Sequence, residues 1–133
     1  MRRFVLTMMV AGLMGTAAFG QDRDVQATIG AQFQAFKADD FSGAFTHASP
    51  LIQNLFRTPE NFGMMVRRGY PMVWRPADIK YLELREKNGG LWQKVRITDE
   101  QGTLHLLDYE MIRLENGWKI NAVQLLEMPR PNV

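Results

Sequence analysis

The stretches IKYLELREK (79–87), NGG (88–90), LWQKVRIT (91–98), DEQG (99–102), TLHLLDYEMIRL (103–114), ENG (115–117) and WKINAVQLLE (118–127) decide the fold. Four of them are rich in aliphatic, aromatic and β-branched residues, and the three between are short, polar and glycine-bearing. That alternation predicts four strands joined by tight turns, an antiparallel meander. In the third strand Leu106-Leu107 interrupts the alternation and signals a bulge there, which leaves its inward face open.

Upstream of Ile79 the period changes. Val25, Ile29, Phe33 and Phe36 recur at spacings of four, four and three, one apolar stripe along a helix. Asp22 or Asp24 is placed to cap its first turn, and Asp39-Asp40 marks its end before a shorter helical stretch from Phe41 to Ala48. Ser49-Pro50 and Thr58-Pro59 each put a hydroxyl at an N-cap and a proline at the first helical position, so two more helices begin there. One carries Leu51, Ile52, Leu55 and Phe56, and the other carries Phe62, Met65 and Val66 and ends by Gly69. Tyr70 to Pro76 reads as an extended crossover, because each proline restricts its predecessor as well as itself. Helices followed by a meander define an α+β fold, with N-terminal helices packed on one face of a curved four-stranded antiparallel sheet. Pro129-Arg130-Pro131 is an extended tail.

The first twenty residues have a different character. Met1-Arg2-Arg3 is a positive n-region, Phe4 to Ala18 is an apolar run too short and glycine-rich for a spanning helix, and Ala18-Phe19-Gly20 places small residues where a signal peptidase reads. The expected organisation is therefore a signal peptide over 1–20 and a single domain over 21–133, exported to the periplasm or secreted. The general secretory route is the default for Arg2-Arg3, and nothing would hold the cleaved domain to a membrane.

The chain has 16 basic against 14 acidic residues, and Arg2 and Arg3 account for the whole excess. Without the leader no net positive field remains to attract a phosphate backbone, which argues against a nucleic-acid partner. Cysteine is absent, which excludes disulfides, thiolate metal sites and a cysteine nucleophile. Two histidines without metal-ligand spacing give no reason to expect a metal or other cofactor, and no phosphate loop or nucleophile elbow is present.

At Glu115-Asn116-Gly117-Trp118-Lys119-Ile120 the sequence resembles the closing hairpin of the cystatin-like, nuclear-transport-factor-two-like superfamily, whose members end on a Gly-Trp-basic-aliphatic step into the last strand. Ala48-Ser49-Pro50, the stretch from Glu60 to Val66 and Gly69-Tyr70 resemble, more narrowly, an uncharacterised family of exported bacterial domains of unknown function. The resemblance implies a cone between helices and a concave sheet, where a ligand would sit and where the superfamily's enzymes place an Asp, His or Tyr. It implies no reaction, since relatives include isomerases, dehydratases, binding subunits and transport factors.

The candidate pocket residues are Tyr70, Trp74, Tyr109, His47 and Asp40. Aromatic walls with a few polar tips suit a small ligand, although Phe33, Phe36, Phe45 and Trp118 are expected to fill core. Tyr109 stands out as a strand residue whose hydroxyl could meet a ligand. His47 near Asp39 and Asp40 could shuttle a proton; the plainer reading makes Asp40 a helix cap and His47 a last-turn cation. Asp108 and Glu110 share a strand face opposite His105, as solvated partners for Lys94, Arg96 or Lys119. Arg67-Arg68 with nearby Arg75 could bind an anionic group; the plainer reading has the arginine pair complement a helix C-terminus. Two functions follow. One is a non-enzymatic module binding a small apolar ligand or a partner, including a second copy through the sheet face, since Leu104, Leu106, Leu107, Val123, Leu125 and Leu126 put apolar residues on both faces. The other is a cofactor-free acid/base isomerase or dehydratase using Asp39, Asp40 or His47 with Tyr109. No catalytic residue is assigned.

Overall fold

The computed structural model describes residues 10–129, with side chains from Gly20 onward. The n-region Met1-Arg2-Arg3 and the tail residues Arg130 and Pro131 lie outside the described residues.

Helix α1, Val10–Lys37, buries Val25, Ile29, Phe33 and Phe36 along the expected stripe. Its end is set by Asp39, whose φ of 54° is left-handed, with Asp40 N–H donating to Ala35 O (2.8 Å) and Asp39 N–H to Phe36 O (3.0 Å). That pair of bonds is a Schellman closure, and a short polar side chain tolerates the left-handed position. The start differs from expectation. The helix runs through Asp22 and Asp24 without a break, so their N–H groups have helical acceptors and neither residue is a cap.

Three short helices follow, each started as the sequence reads. Asp40 Oδ1 accepts from Gly43 N–H (3.0 Å) ahead of α2, Phe41–Thr46. Ser49 Oγ accepts from Ile52 N–H (3.4 Å) ahead of α3, Pro50–Phe56. Thr58 Oγ1 accepts from Asn61 N–H (3.1 Å) ahead of α4, Pro59–Gly69. The crossover is not extended throughout: Pro71–Trp74 form one further turn, α5. The proline restrictions fall on Tyr70 (φ −135°) and Arg75 (φ −137°), which are non-helical; between them Pro71 stands at the first position, where its missing N–H has no partner to lose.

The strands β1 (Pro76–Lys87), β2 (Gly90–Asp99), β3 (Leu104–Leu114) and β4 (Gly117–Leu126) pair in that order, all antiparallel. The fold is α+β, helices packed with a four-stranded open sheet. Leu107, Tyr109 and Met111 are buried among the core residues, whereas Leu106, Asp108 and Glu110 take the opposite face. The irregularity expected at Leu106-Leu107 lies elsewhere: those residues pair in register with Leu126 and Leu125, and the shift falls between Glu110 and Met111, where Asn121 is the extra residue of β4. A second shift, between Tyr81 and Leu84 on β1, leaves Leu82 O to accept from the buried Gln93 Nε2 (2.8 Å). At the β4 edge Ile120 N–H donates to His47 O and Ile120 O accepts from Ser49 N–H, both at 2.8 Å, which fixes the α2–α3 corner on the sheet.

Helices α2 and α4 meet at Gly63, where a Cβ would lie 2.5 Å from Phe41 Cγ. Alanine is the better helix former by about 1 kcal/mol, but overpacking against a ring costs about 1–3 kcal/mol. Gly63→Ala is therefore expected to destabilise by up to about 2 kcal/mol in chemical denaturation. A neutral or stabilising result would mean that Phe41 moves aside freely.

Candidate functional site

A cavity of about 270 Å³ opens where α3, α4 and α5 meet β3 and β4. From the helices its wall takes Ile52, Leu55 and Phe56, then Phe62, Met65 and Val66, then Tyr70 and Val73. From the sheet side it takes Tyr109, Ile120 and the run Asn121-Ala122-Val123, with Ala48 and Gln32 closing the inner end. No Asp, Glu, Lys, Arg or His belongs to this wall. Helix α3 contributes three wall residues yet buries none of its own, and its Leu51 (62% exposed) and Leu55 (67%) stand in solvent.

Two of the five expected pocket residues line the cavity, Tyr70 and Tyr109. Tyr109 is 1% exposed, its ring lies 6.2 Å from that of Phe33, and its hydroxyl has no hydrogen-bond partner among the described residues. Burial, with the Tyr81 and Tyr70 hydroxyls nearby, pushes it far above the ordinary phenol range, so it stays protonated at neutral pH.

The other three lie elsewhere. Trp74 donates from Nε1 to Asp39 Oδ1 (2.9 Å), and its ring carries the Arg75 and Arg67 guanidinium groups at 3.9 and 4.8 Å. Arg75 in turn pairs with both Asp39 oxygens at 3.0 Å. The Trp74 hydrogen bond first, and then Arg75, hold the Asp39 carboxyl below its usual range. Asp40 is the cap of α2. His47 is the C-cap of that helix, but not as a cation: burial, and then the Lys119 ammonium, lower its pKa. Lys119 supplies the positive charge instead, donating from Nζ to Thr46 O (2.8 Å). Asp39, Asp40 and His47 are thus not brought together with Tyr109 around one cavity.

Residues 18–133 match the family described as Domain of unknown function (DUF4864). The chain belongs to that family. No curated protein matches it, and no solved structure does.

On the outer sheet face this DUF4864 domain carries a charge network where solvated pairs were expected. Asp108 is fully buried there and accepts from Arg85 Nη1 (2.8 Å), Arg85 Nη2 (2.5 Å) and Lys87 Nζ (2.9 Å), two β1 residues that reach across β2. Burial raises the Asp108 pKa, but the Arg85 and Lys87 contacts outweigh it and the net shift is downward. Lys94, directly opposite Asp108, turns instead to Glu83 (3.6 Å), and Glu110 accepts from Asn121 Nδ2 (3.0 Å). Trp92 is buried beneath the Lys87 ammonium, 4.4 Å from its ring. The sequence reading also missed a pair at the β2–β3 turn, His105 Nε2 and Asp99 Oδ2 at 2.8 Å. Asp99 also accepts from Gln101 and Thr103 N–H, so the pair closes the turn that the strand pattern requires. Among the described residues of this domain no cluster of metal-ligating side chains occurs and no helix is long and apolar enough to cross a membrane.

Proposed function

We propose that the domain binds a small apolar or amphipathic molecule in the cavity between α3, α4 and β4. The observation that carries this reading is a wall of aliphatic and aromatic side chains, without a charged residue, around about 270 Å³. Pockets for drug-sized ligands span roughly 300–1,000 Å³, so this cavity lies near the bottom of that scale, and it opens to solvent beside the exposed Leu55. A converging acid and base would favour the isomerase or dehydratase alternative, but Asp39, Asp40 and His47 are engaged in caps and an ion pair away from Tyr109. The helix-then-meander order supports placing the family in the cystatin-like superfamily, and Met1-Arg2-Arg3 with the apolar run to Ala18 supports export with removal of the leader. Both remain parts of this proposal.

The test uses Nile red, a neutral dye that brightens in apolar surroundings. The domain is expected to bind it saturably, and Val123→Trp, which fills the cavity from a half-buried wall position, is expected to weaken binding at least about tenfold while the far-ultraviolet spectrum is retained. Equal binding by both proteins would remove the cavity from the account.

A further inference from the structure

Four side-chain polar atoms among the described residues are buried without a hydrogen-bond partner: Trp92 Nε1, Gln93 Oε1, Arg96 Nε and the Tyr109 hydroxyl. Of these residues only Tyr109 belongs to the cavity wall. Buried polar groups are normally satisfied, so an unpartnered hydroxyl on a residue of an apolar cavity wall marks a position where a partner belongs.

The neighbouring polar side chains leave it unanswered, and Gln93 Oε1 is an orphan acceptor itself. Gln93, opposite Tyr109 on β2, donates from Nε2 to Leu82 O and Lys94 O. Val123, opposite on β4, has no polar group. At the wall itself, Asn121 accepts from Ser49 Oγ (2.8 Å) and donates to Glu110, while Gln32 Nε2 donates to Ala44 O (3.1 Å).

Resting on the binding reading above, we infer that the ligand is an uncharged molecule with a hydrocarbon body and one hydrogen-bond acceptor, a carbonyl, ether or hydroxyl oxygen that takes the Tyr109 O–H. The hydrocarbon lies against α3, α4 and β4, where the wall is aliphatic and aromatic. A carboxylate or ammonium is excluded because the wall holds no counter-ion, and a buried unpaired charge is far more costly than a buried neutral group.

The experiment compares toluene, acetophenone, benzoate and benzylammonium at neutral pH, probes of nearly one size that differ in head group. Binding is read from methyl chemical shifts of Ile52, Val66 and Ile120. Acetophenone is expected to bind about tenfold tighter than toluene, and both charged probes at least about a hundredfold weaker than acetophenone. In Tyr109→Phe the acetophenone-to-toluene ratio should fall to about one, with a melting curve to check the fold. Benzoate or benzylammonium binding best, or an acetophenone preference absent from the wild type or surviving in Tyr109→Phe, overturns the head-group assignment and leaves cavity binding standing. If no probe shifts the cavity methyls and Nile red is not bound, the binding reading itself is overturned. Should Tyr109→Phe fail to fold, the ranking of the four probes on the wild type decides alone.

Discussion

Replacing Asp108 by alanine is expected to lower folding stability at neutral pH by about 2–4 kcal/mol, measured by urea denaturation. The carboxylate is fully buried and accepts three charge-assisted hydrogen bonds, so its loss leaves Arg85 and Lys87 facing each other without an anion between them. Breaking a buried pair costs about 3–5 kcal/mol where the remaining charge is trapped. Here the surviving side chains are 28% and 34% exposed and can turn to water, which brings the figure down. The pH dependence has a definite sign. The folded Asp108 pKa lies below the unfolded value of 3.8, so the folded state binds fewer protons in acid. Its contribution is complete above about pH 5 and is lost as pH falls past 3.8 through the folded pKa. The stability difference between wild type and Asp108→Ala should therefore shrink over that range. A difference below about 0.5 kcal/mol at pH 7, the scale of an ordinary surface substitution, would contradict the network.

Phe62→Ala is expected to remove about 3–5 kcal/mol, the range for truncating a buried phenylalanine. Its ring lies 5.8 Å from Phe36, 5.4 Å from Phe45 and 5.8 Å from Phe56, so one side chain joins α1, α2 and α3 to α4. Helix α3 has no buried residue of its own and leans on the Phe56–Phe62 contact. Phe62 also borders the cavity, so alanine there enlarges the space and loosens its outer wall together. Thermal unfolding measures the first effect, and weakened Nile red binding in the folded variant measures the second. A loss under about 1 kcal/mol would show that the aromatic cluster closes around the gap.

The four strands, their three turns and the caps at Asp40, Ser49 and Thr58 were legible because each depends on residues close in sequence. The turn at Pro71–Trp74 was missed because proline was weighed only as a breaker, although it also fits a first helical position. Tyr70 and Tyr109 were named as aromatics for the cone that the resemblance implied, Tyr109 as a strand residue whose hydroxyl could meet a ligand; both line the cavity. Trp74 was misplaced because an indole needs a partner for its N–H, and the left-handed Asp39 provides one outside the cavity. The burial of Asp108 was beyond sequence pattern. It depends on Arg85 and Lys87 crossing an entire intervening strand, and the β1 shift between Tyr81 and Leu84 sets which residues face that way.

The contact of His47 and Ser49 with Ile120 bears on how copies of the chain could join. A sheet grows without limit only when both of its borders can recruit a new strand. Here the β4 border has its Ile120 N–H and C=O already occupied midway along, and continuing a ladder past that point would require the α2–α3 corner to detach. The β1 border lies on the other side of the sheet. Two chains meeting β1 to β1 would leave only the two β4 borders outward, each blocked midway at Ile120, so a long continuous ladder beyond such a pair is disfavoured.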